Sequence, residues 1–108
     1  MDTQTKGLPS FGYVKIKLDH GDTMICESGA MVAMTTTLQL KTSLRGGIIA
    51  ALLRKVLGGE SAFINRFTNL SPEPAILYLS PALPGDLVCV DLNQTTIRLQ
   101  PGAYLCNS

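Results

Sequence analysis

His20 is the chain's single histidine, and it stands among carboxylates in the run Asp19-His20-Gly21-Asp22. Imidazole beside carboxylate serves metal ligation and acid–base catalysis, but a metal needs several donors converging from different parts of the chain. The same four residues form a dense turn signal, and the run reads as a solvated turn with no metal assigned. A Ser-His-Asp triad would have to be built on His20 too, and no nucleophile-elbow pattern accompanies any serine. No catalytic residue is assigned. Cys26, Cys89 and Cys106 are an odd number without metal-ligand or redox spacing. Each lies in an apolar, strand-like context, where cysteine behaves as a small buried hydrophobe, and a reducing compartment is the simplest expectation.

Two glycine pairs, Gly46-Gly47 and Gly58-Gly59, invite a phosphate-binding reading, because a glycine-rich loop opening a helix offers free N–H groups to anions. Leu44-Arg45-Gly46-Gly47 lacks the Gly-Lys-Ser/Thr ending of a P-loop and the spaced glycines of a dinucleotide fingerprint. These four glycines read as structural hinges and caps, Glu60 and Ser61 as turn and strand-entry residues, and no cofactor is expected. Between Met31 and Gly59 the chain carries Lys41, Arg45, Arg54 and Lys55 with no carboxylate. That is a candidate anion or nucleic-acid contact. The whole chain, with 9 Lys+Arg against 8 Asp+Glu, has a net charge of only +1 and no global basic field. With 6% aromatic residues and no Trp, stacking platforms for single strands are scarce.

The elements that would position these groups can be read from periodicity. Between the glycine pairs, Ile48, Ile49, Leu52, Leu53, Val56 and Leu57 fall on one half of a helical wheel, opposite Ala50, Ala51, Arg54 and Lys55. Burying six aliphatic side chains is worth on the order of 10 kcal/mol, about what fixing ten backbones costs. A helix near 48–57 therefore needs a partner surface, and its apolar face is the candidate interface.

The rest is strand-like. Tyr13–Leu18 alternates strictly, Val14, Ile16 and Leu18 sharing a face, and Thr23–Cys26 reads as its hairpin partner across the Asp19–Asp22 turn. Met31–Met34 and Thr36–Thr42 read as two more strands or one long bent one. Ala62–Thr68 returns to period two, Ala75–Leu79 is apolar on both faces like a central strand, and Asp86–Leu92 and Thr95–Gln100 complete the series. Short strands separated by turns describe an all-β sandwich or barrel of antiparallel strands with one short helix. A weak internal echo pairs Gly21-Asp22 and Gly29-Ala30-Met31 with Gly85-Asp86 and Gly102-Ala103-Tyr104. The longest apolar run, Ile48–Leu53, falls far short of the roughly 20 residues of a membrane span.

The stretches ESGAMVAM (27–34), GGIIAALLRKVLGGESAFINRF (46–67), LSPALPGDLVCVDL (79–92) and PGAYLCNS (101–108) resemble, in order and spacing, the Altered Inheritance of Mitochondria protein 24 family, also called domain of unknown function 124. The resemblance covers nearly the whole chain. It implies a double-layered all-β fold similar to the tryptophan RNA-binding attenuation protein, assembly into homo-oligomers, often trimers, and no established catalytic activity. Family members carry a second β-rich half after the Gly-Ala-Tyr segment. Residues 1–108 are thus expected to form a single β-rich domain or the first half of a two-part fold. The expected location is cytoplasmic, or mitochondrial in a eukaryote, although no transit peptide is visible at the N-terminus.

The leading expectation is a noncatalytic assembly or scaffold protein that associates through the helix face. The alternative is an RNA-binding module working through the basic segment 41–55, a reading that leans on fold analogy. Peripheral membrane association through the basic arc of the helix comes next, weakened because a ten-residue helix spans only about 15 Å.

Overall fold

The computed structural model describes residues 1–44, 63–100 and 102–108. The described residues form eight strands: β1 (Asp2–Lys6), β2 (Tyr13–Leu18), β3 (Thr23–Glu27), β4 (Met31–Met34), β5 (Leu38–Leu44), β6 (Phe63–Asn69), β7 (Ala75–Leu79) and β8 (Cys106–Asn107). They form two four-stranded sheets, β1-β2-β7-β4 and β5-β6-β3-β8, and every pairing is antiparallel. The fold is all-β. The expected helix near 48–57, with its six apolar face residues and both glycine pairs, lies outside the described residues.

Alternation in β2 is realised in full. Val14, Ile16 and Leu18 are buried and face Leu79, Leu77 and Ala75 of β7 in register. In the second sheet Met24 opposes Phe67, and these side chains with Cys26 and Leu38 supply the facing layer of one core. β7 lies between β2 and β4, as a strand apolar on both faces should.

The hairpin expected between β2 and β3 does not form. The Asp19–Asp22 turn instead carries the chain from one sheet to the other, β2 pairing with β1 and β7 and β3 with β6 and β8. The reason lies in the inward faces: Leu18 and Met24 are both buried, and an arch lets the two strands bury them against each other across the core. Thr35–Leu38 makes a second arch, where the Leu38 N–H donates to the Thr35 carbonyl at 3.1 Å.

Asn69 joins the corners. Its side-chain amide donates to the carbonyls of Leu18 (2.9 Å) and Glu73 (2.8 Å), and its side-chain oxygen accepts from the Ser71 N–H at 3.0 Å. Its own N–H donates to the Asp22 carbonyl at 3.0 Å, and its carbonyl accepts from Gly21 N–H at 2.7 Å. A wholly buried polar side chain is thereby fully engaged.

β1 and β8 were not anticipated. All five β1 residues are exposed, so no hydrophobic pattern announces the strand, and it is held by its ladder to β2. The segments 86–92 and 95–100, expected as strands, join neither sheet. Phe63, the first residue of β6, is 48% exposed although it shares the strand's period with buried Phe67.

Gly12 fastens the segment after β7 to the start of β2. Its N–H donates to the Gly85 carbonyl at 2.8 Å, and a Cβ there would stand 2.9 Å from that oxygen and 2.9 Å from the Leu87 side chain. Gly12→Ala is therefore expected to displace residues 85–87 at a cost of about 1–3 kcal/mol, as overpacking does. A urea midpoint equal to that of wild type would contradict this.

Of the internal echo, one half has a structural counterpart. Gly29 and Gly102 both adopt left-handed backbone, φ +84° and +82°, a conformation only glycine enters freely.

Candidate assembly surface

Pro84–Gln100 places apolar side chains in water. Val88 (83% exposed), Val90 (51%), Leu92, Ile97 and Leu99 (53%) project from backbone that is in no sheet. Val88, Val90 and Leu92 keep the period of a strand, so an extended conformation sets them on a common side. Among the described residues their backbone N–H and C=O groups join no ladder. A soluble surface scatters single apolar residues, whereas a run of them on one extended segment is a candidate interaction site.

A second apolar feature lies at the edge of the first sheet. Among the described residues β4 pairs with β7 on one side only, and its register shifts between Met31 and Ala33, leaving Val32 bulged and 64% exposed. Charge, proline or burial usually protects an edge strand. Met31–Met34 carries neither charge nor proline.

Of the cationic candidates, Lys41 is exposed on β5, and its register partner is Arg66 of β6. Like charges directly opposed on a sheet repel each other, and an anion between them would relieve the repulsion. Arg45, Arg54 and Lys55 lie outside the described residues, and the structure adds Arg66, whose position opposite Lys41 is a matter of strand pairing that spacing along the chain does not disclose.

The model of the family described as mitochondrial biogenesis AIM24 matches residues 3–108. This chain belongs to that family. An uncharacterised protein of Streptococcus pyogenes serotype M6 is 34% identical over 101 residues, which cover 88% of this chain and 40% of the relative. A crystal structure of a Streptococcus pyogenes protein superposes with a TM-score of 0.54 at 30% identity, covering 77% of this chain and 38% of that one. The chain thus spans about 40% of the length of the relative it matches in sequence.

The remaining chemical candidates of this AIM24-family chain are accounted for locally. His20 is exposed and donates from Nδ1 to the Ser71 carbonyl at 3.2 Å, which requires the Nδ1–H tautomer or the imidazolium. The Asp22 carboxylate accepts from the Asp19 N–H at 2.8 Å and pairs with the Met1 ammonium at 3.1 Å. The first of these bonds, then the second, hold its pKa below the ordinary value. Among the described residues no three His, Cys, Asp or Glu side chains gather as a metal site, and no helix is long and apolar enough to cross a membrane.

The cysteines differ from the expectation of uniform burial. Cys26 is wholly buried, Cys106 half-buried, and Cys89 is exposed and outside any strand. Cys26 and Cys106 oppose each other in register across β3 and β8. Burial pushes their thiols up to about 12 and about 11 respectively. A small cleft of about 190 Å³, lined by Phe11, Tyr13, Pro81 and Leu83 among others, is below the roughly 300 Å³ at which small-molecule sites begin.

Proposed function

We propose that this AIM24-family chain is a noncatalytic assembly protein in which the extended segment 86–92 of one copy adds as a strand to the open β4 edge of the next. The observation that carries the reading is the exposed, strand-patterned Val88, Val90 and Leu92, in neither sheet, together with an apolar edge strand that pairs on one side only among the described residues. Strand addition supplies the missing main-chain hydrogen bonds and buries alternate side chains, which is how sheet edges recruit extended segments. A segment that reaches out and an edge elsewhere on the same molecule make a head-to-tail contact, which closes into a ring when the rotation allows. A cyclic trimer is one such closure.

The wild-type chain is expected to elute as a concentration-dependent oligomer in light scattering. Val88→Lys with Val90→Lys is expected to leave a folded monomer, because neither side chain belongs to the core. A compact wild-type monomer at high concentration, or a double variant that assembles normally, contradicts the reading.

The juxtaposed Lys41 and Arg66 favour a second reading, contact with RNA phosphates through the outer face of β5 and β6. Loss of both charges is expected to flatten the log–log salt dependence of single-stranded RNA binding by about 1.4, at roughly 0.7 per phosphate contact. An unchanged slope assigns any binding elsewhere.

A further inference from the structure

Cys26 and Cys106 stand opposite each other where β3 meets β8. The Glu27 N–H donates to the Leu105 carbonyl at 3.0 Å, and Ile25 is in register with Asn107. Hydrogen-bonded and non-hydrogen-bonded pairs alternate along an antiparallel ladder. Glu27–Leu105 is hydrogen-bonded, so Ile25–Asn107 is the next such pair, and Cys26–Cys106 is the non-hydrogen-bonded pair between them. At that position the Cα atoms lie about 4.5 Å apart and the side chains stand closest. A disulfide accepts Cα separations of roughly 4.4–6.8 Å. The register alone brings the two thiols within bonding range.

We propose that Cys26 and Cys106 form a reversible cross-strand disulfide that fastens the C-terminal strand β8 to β3. The oxidant is a low-molecular-weight disulfide such as oxidised glutathione. The thiolate of half-buried Cys106 attacks one of its sulfurs, forming a protein–glutathione mixed disulfide and releasing one glutathione thiolate, which takes up the proton Cys106 gave up. Cys26, deprotonated in turn, attacks the Cys106 sulfur and expels the second glutathione. Two protein thiols are oxidised to one disulfide and one glutathione disulfide is reduced to two thiols, so atoms and electrons balance.

The site does more than pair two sulfurs. β8 is two residues long and forms one edge of its sheet; besides its ladder, it is flanked by the Tyr104 hydroxyl, which donates to the Ile25 carbonyl at 3.2 Å. A bond at its first residue converts a short, weakly held edge into a covalently fixed one. Cys26 is wholly buried, so the second step proceeds away from solvent and favours closure within one chain over exchange with another. Burial also keeps both thiols protonated near neutrality, and the bond forms slowly there, since the thiolate is the nucleophile.

The test uses the full chain and a Cys89→Ser variant, each equilibrated with oxidised glutathione and then alkylated. Peptide mapping is expected to show a Cys26–Cys106 link within one chain in both, absent from Cys106→Ser. Amide exchange at Cys106 and Asn107 is expected to slow on oxidation. The proposal is overturned if folded Cys89→Ser keeps two free thiols while the same chain in urea forms the disulfide. It is equally overturned if a glutathione adduct on Cys106 or a disulfide between two chains is the only product.

Discussion

Replacing Asn69 with alanine is expected to lower the unfolding free energy by about 3 kcal/mol, although the change removes no apolar surface. The amide donates to the Leu18 and Glu73 carbonyls and accepts from Ser71 N–H. Alanine leaves these three backbone groups without that partner, in or beside a site closed to solvent, and each such loss costs about 1–3 kcal/mol where water cannot enter. Partial hydration of the half-buried Ser71 side brings the sum toward the lower end. Because the three bonds tie the end of β2 to the β6–β7 corner, a smaller loss would mean that the arches hold themselves.

Asn69→Asp tests the same bonds with almost no change of shape. A carboxylate can still accept from Ser71 N–H but cannot donate to either carbonyl, and it would be buried facing two acceptors. Its folded-state pKa would lie above the unfolded value of about 3.9. A group raised on folding contributes stability that is present below its unfolded pKa and lost as pH rises. The variant is therefore expected to be weakest, relative to wild type, at neutral pH and to recover part of the difference below about pH 4. Asp22, whose pKa is depressed, loses its own contribution as pH falls, but it does so in both proteins and cancels in the comparison. A difference independent of pH would place the side chain in solvent.

What the sequence discloses is one-dimensional, and the structure departs from it wherever pairing is decided at a distance. The period of two in Tyr13–Leu18 and the two-faced apolarity of Ala75–Leu79 both hold, because burial alone writes them. The partner of β2 is not written there: a turn such as Asp19–Asp22 closes a hairpin and an arch equally well. β1 has no buried residue and owes its existence to a ladder. The opposite failure occurs at Asp86–Leu92, which has the pattern of a strand and, among the described residues, lacks the neighbour that would make it one. Of the surface now proposed for assembly, the alternation of Val88, Val90 and Leu92 was legible, but their exposure was not. The placement of Cys106 against Cys26, like that of Lys41 against Arg66, depends on register and has no local signature. Asn69 sat in the sequence at the edge of a polar loop, indistinguishable from an ordinary turn asparagine.

Phe67→Ala is expected to be the most destabilising single truncation of the core, at about 3–5 kcal/mol. Phe67 is wholly buried and heads the fully buried side chains by volume. It is flanked in register by Met24 on one side and Leu40 on the other, and it faces the layer formed by Ile16, Leu18 and Leu77. Two sheets stiffened by their ladders and held apart by the remaining core side chains close only partly around the lost ring, so most of the volume persists as a cavity, and the cost follows the cavity as well as the lost transfer energy. Phe67→Leu keeps much of the volume and is expected to lose less than half as much. Phe63→Ala provides the contrast: the same chemical change on the same strand, at a side chain 48% exposed, is expected to cost about 1 kcal/mol or less to the isolated chain. Chemical denaturation of the three variants at low concentration decides the matter. Equal losses at positions 63 and 67 would mean that the far end of β6 is buried in solution, and therefore that the chain is already assembled under the conditions of the measurement.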